Sequence, residues 1–213
     1  MQSEYLGDAL DFWKSNILQI LQPHFAHGLR VVPMITDEPK WDDELHEAYS
    51  RILNVEEEDI FRGMNFTRAQ RDVYFESVMN AFPVQDLFLD PDTGIGLREI
   101  KPSIAKLSHV RPEEITMLTK GNDRVVIVYQ HAPRFKKWDE SAAREYCSRI
   151  RSGYRAGYVT NQGAMLFFCS DKTRLMKLTN ELAAYTGEKV AKERVFEMYS
   201  RKTKKRRLLR NHK

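Results

Sequence analysis

A chain of 213 residues with 42% apolar and 11% aromatic content can bury a core of its own, which excludes a disordered segment. No run of 18 apolar residues is present to cross a bilayer, and the start, Met1 to Asp8, has neither the basic region nor the apolar stretch of a secretory signal, so a cytoplasmic protein with no membrane attachment is expected. The net charge of +4 conceals a division: residues 201–213 carry eight Lys or Arg and no acid, leaving 26 basic against 30 acidic residues in the body. A basic arm on an acidic body suits a polyanionic partner, with nucleic acid expected.

In chain order, Leu10, Trp13, Ile17, Leu18 and Leu21 form the apolar stripe of a helix over 6–21, with Asp8 as its N-cap and Pro23 at its end. Residues 29–35 read as a strand, a poor central one because of Pro33, closing on Thr36, Asp37 and Glu38. An acidic helix is expected over 41–53. Thr67 would cap the next helix, which Pro83 stops. Residues 85–90 form a strand with an Asp-Pro-Asp turn, and 97–100 a short one broken by Pro102. A helix starts at Arg111-Pro112, a strand covers 124–130, and a helix covers 139–152. The strand at 164–169 is followed by a helix over 171–186 with Gly187 as C-cap, and 190–199 forms a last strand. Alternating strands and helices predict one three-layer α/β/α domain over 1–200, built on a mainly parallel sheet and followed by the basic tail. Cys147 and Cys169 are expected to be reduced thiols, at least one of them buried.

Two strands end in residues able to do chemistry. Leu87-Phe-Leu is fully apolar and runs into Asp90-Pro-Asp92-Thr-Gly94; Val125 to Tyr129 runs into Gln130 and His131. Apolar runs of this length read as strands buried on both faces, and ligands of open α/β sheets bind beyond the strands' carboxyl ends. A carboxylate there can activate water or support a developing positive charge, and an imidazole can act as acid or base. The bland alternative for Asp90 and Asp92 is a simple turn. The histidines and cysteines have no zinc-ligand spacing, and neither a dinucleotide-binding nor a phosphate-binding Gly-rich loop nor a Gly-x-Ser-x-Gly elbow is present, so no metal and no cofactor are expected. Pro91-Asp92 with Glu99-Ile100-Lys101 matches the Pro-Asp…Glu-x-Lys signature of restriction-type nucleases, which would place magnesium on Asp92 and Glu99 and let Lys101 assist the attacking water.

At Leu89-Asp90-Pro91 and His131-Ala132-Pro133 the chain resembles the uracil-DNA glycosylase superfamily, which carries a Gln-Asp-Pro type motif at one strand end and a His-Pro-Ser-Pro type motif at another. The resemblance implies hydrolysis of the N-glycosidic bond of a modified pyrimidine flipped from duplex DNA, leaving an abasic site. Asp90, with Asp92 as its alternative, would activate water or stabilise the cationic sugar, and His131 would donate to the departing base. Tyr129 and Gln130 would border the base, Arg134, Lys136 and Lys137 would contact phosphates, and Tyr5, Asp8 and Trp13 could build the base pocket. The two motifs lie 41 residues apart, the second lacks its Ser, and no Asn is assigned to read the base. A related resemblance is to anti-phage DNA glycosylases that remove glucosylated hydroxymethylcytosine. No lysine stands out as a Schiff-base nucleophile, so monofunctional chemistry is expected. Asp90-Pro-Asp-Thr also resembles the Asp-Pro-Pro-Tyr motif of amino-methyltransferases. A non-enzymatic nucleic-acid-binding module is a further reading, and no obligate protein partner is evident.

Overall fold

The computed structural model describes residues 6–36, 41–63, 66–67, 70–96, 109–120, 123–133, 137–151 and 153–199. Tyr5, Asp37, Glu38, Arg134 and Lys136 lie outside them, as do Glu99, Lys101, the expected strand at 97–100 and the tail at 201–213.

Strand β5 (Val125–His131) shows why a fully apolar run was needed. Val125, Ile127 and Tyr129 point into one core and Val126 and Val128 into another, so neither face meets water. Each such side chain contributes roughly 1.5–3 kcal/mol by leaving water. The first core is closed by α1 (Ala9–Leu21), α2 (Asp43–Leu53) and α6 (Lys172–Thr186), through Ile17, Leu21, Tyr49, Leu53 and Leu178. The second is closed by α3 (Arg71–Ala81), α4 (Pro112–Thr119) and α5 (Glu140–Ser148), through Phe75, Val78, Ile115, Leu118 and Cys147. The result is the three-layer α/β domain that the sequence predicts. Cys147 and Cys169 are both buried and free, and burial pushes the Cys147 thiol up to about 12.

The main sheet has the order β1-β2-β5-β7-β6-β8, with β1 (Leu29–Val32), β2 (Asp86–Leu89), β6 (Tyr154–Val159), β7 (Gly163–Cys169) and β8 (Val195–Tyr199). Parallel pairing is confined to β1, β2 and β5; β7, β6 and β8 are antiparallel to their neighbours. The reversal follows from β6, a strand absent from the sequence-based expectation: β6 and β7 form a tight hairpin, and a short hairpin joins only antiparallel strands. Beside the main sheet lies a small parallel pair, β3 (Gly94–Ile95) and β4 (His109–Val110). A short helix α7 (Glu188–Arg194) occupies the first half of the segment expected to be the last strand.

Helix starts follow the expected chemistry in most places. Asp8 accepts from the Leu10 and Asp11 N–H groups at 2.7 and 3.0 Å, and Asp42, Asp139 and Asp171 cap α2, α5 and α6 in the same way. Each cap stabilises its helix by about 1 kcal/mol. Thr67 is not the cap of α3: that helix has Gln70 at its N-cap position and begins at Arg71, whose guanidinium pairs with Glu114 of α4. Pro33 lies just past β1, an edge strand, where its missing N–H costs no ladder bond. Among the described residues, no helix is long and apolar enough to cross a membrane.

Candidate active site

The carboxyl ends of β1, β2 and β5 lie side by side because the three strands are parallel and adjacent. Each ends in polar groups: Thr36 after β1, Asp90 and Asp92 after β2, and Gln130 and His131 at the end of β5.

Asp90 is only 1% exposed. Its N–H donates to the Val32 carbonyl at 3.0 Å, which carries the β1–β2 ladder one step further. Its carboxylate accepts from Lys14 Nζ at 3.0 and 2.8 Å and from the Tyr49 hydroxyl at 2.6 Å. Lys14 also stands 2.6 Å from Asp11 Oδ1, while Asp11 Oδ2 accepts from the Gly7 N–H at 2.9 Å. Charges stripped of water persist only when paired and hydrogen-bonded. Burial works against the Lys14 ammonium, but Asp90 and Asp11 outweigh it and raise its pKa. Burial, reinforced by Asp90, lifts the Tyr49 hydroxyl well above its ordinary value, and burial also raises Asp11, with Lys14 opposing. The cluster joins α1, α2 and β2, and its two carboxylates face a single cation.

Asp92 stands in different surroundings. It is half-buried, and its Oδ2 accepts from Thr36 Oγ1 at 2.9 Å. The chain reaches Thr36 through Met34, held in the left-handed region at φ 47°, a conformation that costs a non-glycine residue about 1–3 kcal/mol and recurs at functional sites.

Gln130 is expected to border the base, but its amide is consumed inside the protein. Oε1 accepts from the Ile95 N–H at 2.7 Å, and Nε2 donates to the carbonyls of Thr93 at 3.0 Å and His131 at 2.9 Å. One side chain therefore fastens the turn after Asp92 to the end of β5. Gly94 is required beneath it: φ is +101°, and a Cβ there would lie 2.4 Å from Gln130 Oε1.

His131 is half-buried, with its Nδ1 3.4 Å from the Tyr129 hydroxyl and the two rings 5.0 Å apart. Tyr129 is only 2% exposed, too enclosed to offer a surface to DNA. Its ring receives the Lys14 ammonium at 4.6 Å and meets the Trp13 ring edge-to-face at 6.2 Å, and Trp13 stacks on Tyr158 at 6.0 Å. The Asp8 carboxylate is engaged as the α1 cap, and Lys137 is exposed, 3.2 Å from Asp139. Asp90, Asp92, Tyr129, Gln130 and His131 are thus brought to one end of the sheet, joined there by Lys14, Asp11 and Tyr49, which sequence reasoning missed. One signal was available for Lys14. It falls on the apolar stripe of α1, between Leu10 and Ile17, where a lysine must meet a buried partner.

Among the described residues, no three His, Cys, Asp or Glu side chains converge as a metal-ligand set. Compared with known proteins, the chain matches no family model, no curated protein and no solved structure.

Proposed function

We propose that the protein is a monofunctional DNA glycosylase that removes a modified pyrimidine, with Asp92 as the carboxylate that meets the substrate and His131 as the donor to the departing base. The observation that carries this reading is the grip of the Gln130 amide on both the Thr93 and His131 carbonyls, which sets a half-buried carboxylate and a half-buried imidazole on adjoining segments at the strand ends. In the reaction, a water oxygen bonds to C1′ as Asp92 takes its proton. The C1′–N bond breaks with its electron pair passing to the base, and the His131 N–H meets the charge that develops there. Asp90, sealed under Lys14 and Tyr49, acts through its charge. With Asp11 it leaves an excess of negative charge below a sugar that becomes cationic, which favours that transition state. Lys14, held as an ammonium by the same two acids, has no lone pair with which to attack C1′, in keeping with monofunctional chemistry.

The test incubates the protein in EDTA with plain DNA, uracil-containing DNA and phage DNA carrying glucosylated cytosines, and reads products before and after hot alkali. Alkali-dependent breaks in one modified DNA are expected, with turnover lowered about 10²–10⁴-fold in Asp92→Asn, the usual contribution of a general base. Breaks that appear without alkali only when magnesium replaces the EDTA, or DNA left intact throughout, would overturn the reading. A covalent adduct trapped by borohydride would overturn its monofunctional part.

A further inference from the structure

Tyr129 is placed to act on His131 without reaching the substrate. Its hydroxyl is enclosed, and His131 Nδ1, at 3.4 Å, is its hydrogen-bond partner. Tyr129 carries one proton on that oxygen, and an enclosed O–H left without an acceptor is costly, so the hydroxyl donates and Nδ1 accepts. A neutral imidazole that accepts at Nδ1 carries its own proton on Nε2. The ring that holds the hydroxyl in place is itself held by the Lys14 ammonium over its face and by an edge-to-face contact with Trp13. Behind Lys14 stand Asp90 and Asp11. Gly163 stands on β7 directly across from His131, and a Cβ there would come to 3.3 Å from the Tyr129 hydroxyl, so glycine leaves that hydroxyl its place beside the histidine.

We infer that Tyr129 is a positioning residue that fixes His131 in the tautomer with its proton on Nε2, and that the buried Asp11–Lys14–Asp90 cluster supports this by holding the Tyr129 ring through Lys14. The inference rests on the reading of His131 as a donor, yet its first readout needs no activity. Long-range proton–nitrogen NMR on the labelled protein, with His131 identified by the signals that vanish in His131→Gln, reports which nitrogen is protonated. The wild type should show Nε2–H, and Tyr129→Phe should show a mixture of both forms. A wild-type His131 protonated on Nδ1, or a Tyr129→Phe spectrum that keeps pure Nε2–H, would overturn it. On a DNA that the wild type cleaves, Tyr129→Phe should lower kcat about tenfold or more with KM unmoved, the pattern of a group that acts through the acid rather than on the substrate; an unchanged kcat would also overturn it. If the tautomer is as inferred and no DNA is processed, the glycosylase reading falls and the positioning role stands.

Discussion

Tyr49 and Lys14 hold their protons more tightly folded than unfolded. Burial and Asp90 raise Tyr49 well above its ordinary 10.0, burial raises Tyr129 and Tyr74, and Asp90 with Asp11 raises Lys14 above 10.5. Above pH 10 the unfolded chain therefore releases protons that the folded chain keeps. The stabilisation these groups give is fully present below that point and is lost as pH climbs toward their folded values. Within that window each group costs about 1.4 kcal/mol per pH unit, so urea midpoints measured between about pH 8 and about pH 11 should fall steeply at the alkaline end. Tyr49→Phe should be less stable at neutral pH, because Asp90 loses a donor, yet should fall less steeply above pH 10. A slope equal to the wild type's would show that Tyr49 titrates normally. From the sequence, Asp90, Asp92 and His131 could be singled out because each terminates an apolar strand. The Lys14–Asp90 pairing could not, because it spans 76 residues and depends on where α1 crosses the sheet.

Elements were legible where local chemistry and tertiary demand agree. The start of α1 at Asp8, the Pro112 start of α4 and the apolar runs of β2, β5 and β7 all fall where the pattern puts them. Strand β6 escaped because Arg155 and Gly157 interrupt its apolar run. Gly157 has a tertiary cause: the Phe196 ring of β8 fills the space a Cβ would need, with an atom 2.5 Å from that position. Helix α7 is too short to show a periodicity, although Glu188 and Lys192 pair at 2.7 Å one turn apart. The short element after Asp92 gives the sharpest test at this scale. Gly94→Ala puts a methyl group into the Gln130 amide and forces an alanine to a positive φ, so a loss of about 1–3 kcal/mol is expected in urea or thermal unfolding. Turnover should fall further than the loss of folded protein explains, because the same change loosens Asp92 from His131. Activity that tracks only the folded fraction would separate the latch from the site.

At the scale of the whole molecule, an α/β domain was legible from alternation alone, whereas the reversal of direction between β5 and β7 was hidden with β6. That reversal decides where the basic segment departs. Strand β8 runs from Val195, opposite Tyr158, to Tyr199, opposite Tyr154, and so delivers the chain to the amino ends of the parallel strands, away from His131. Residues 201–213 should accordingly serve affinity and not the chemical step. Removing them should weaken DNA binding and flatten its salt dependence by about 0.9 in the log–log slope for each phosphate no longer neutralised, with single-turnover rates on saturating DNA unchanged. A collapse of the single-turnover rate would place the segment at the site after all.

The β6–β7 hairpin ties His131 to a part of the chain about thirty residues further on. Thr160 N–H closes the turn on the Gly163 carbonyl at 2.8 Å, and the Ala132 N–H reaches the Gln162 carbonyl at 2.9 Å, so the turn at 160–162 is stitched to the segment that carries His131. A residue inserted in that turn would shift the Gln162 carbonyl and, through it, the backbone beside His131.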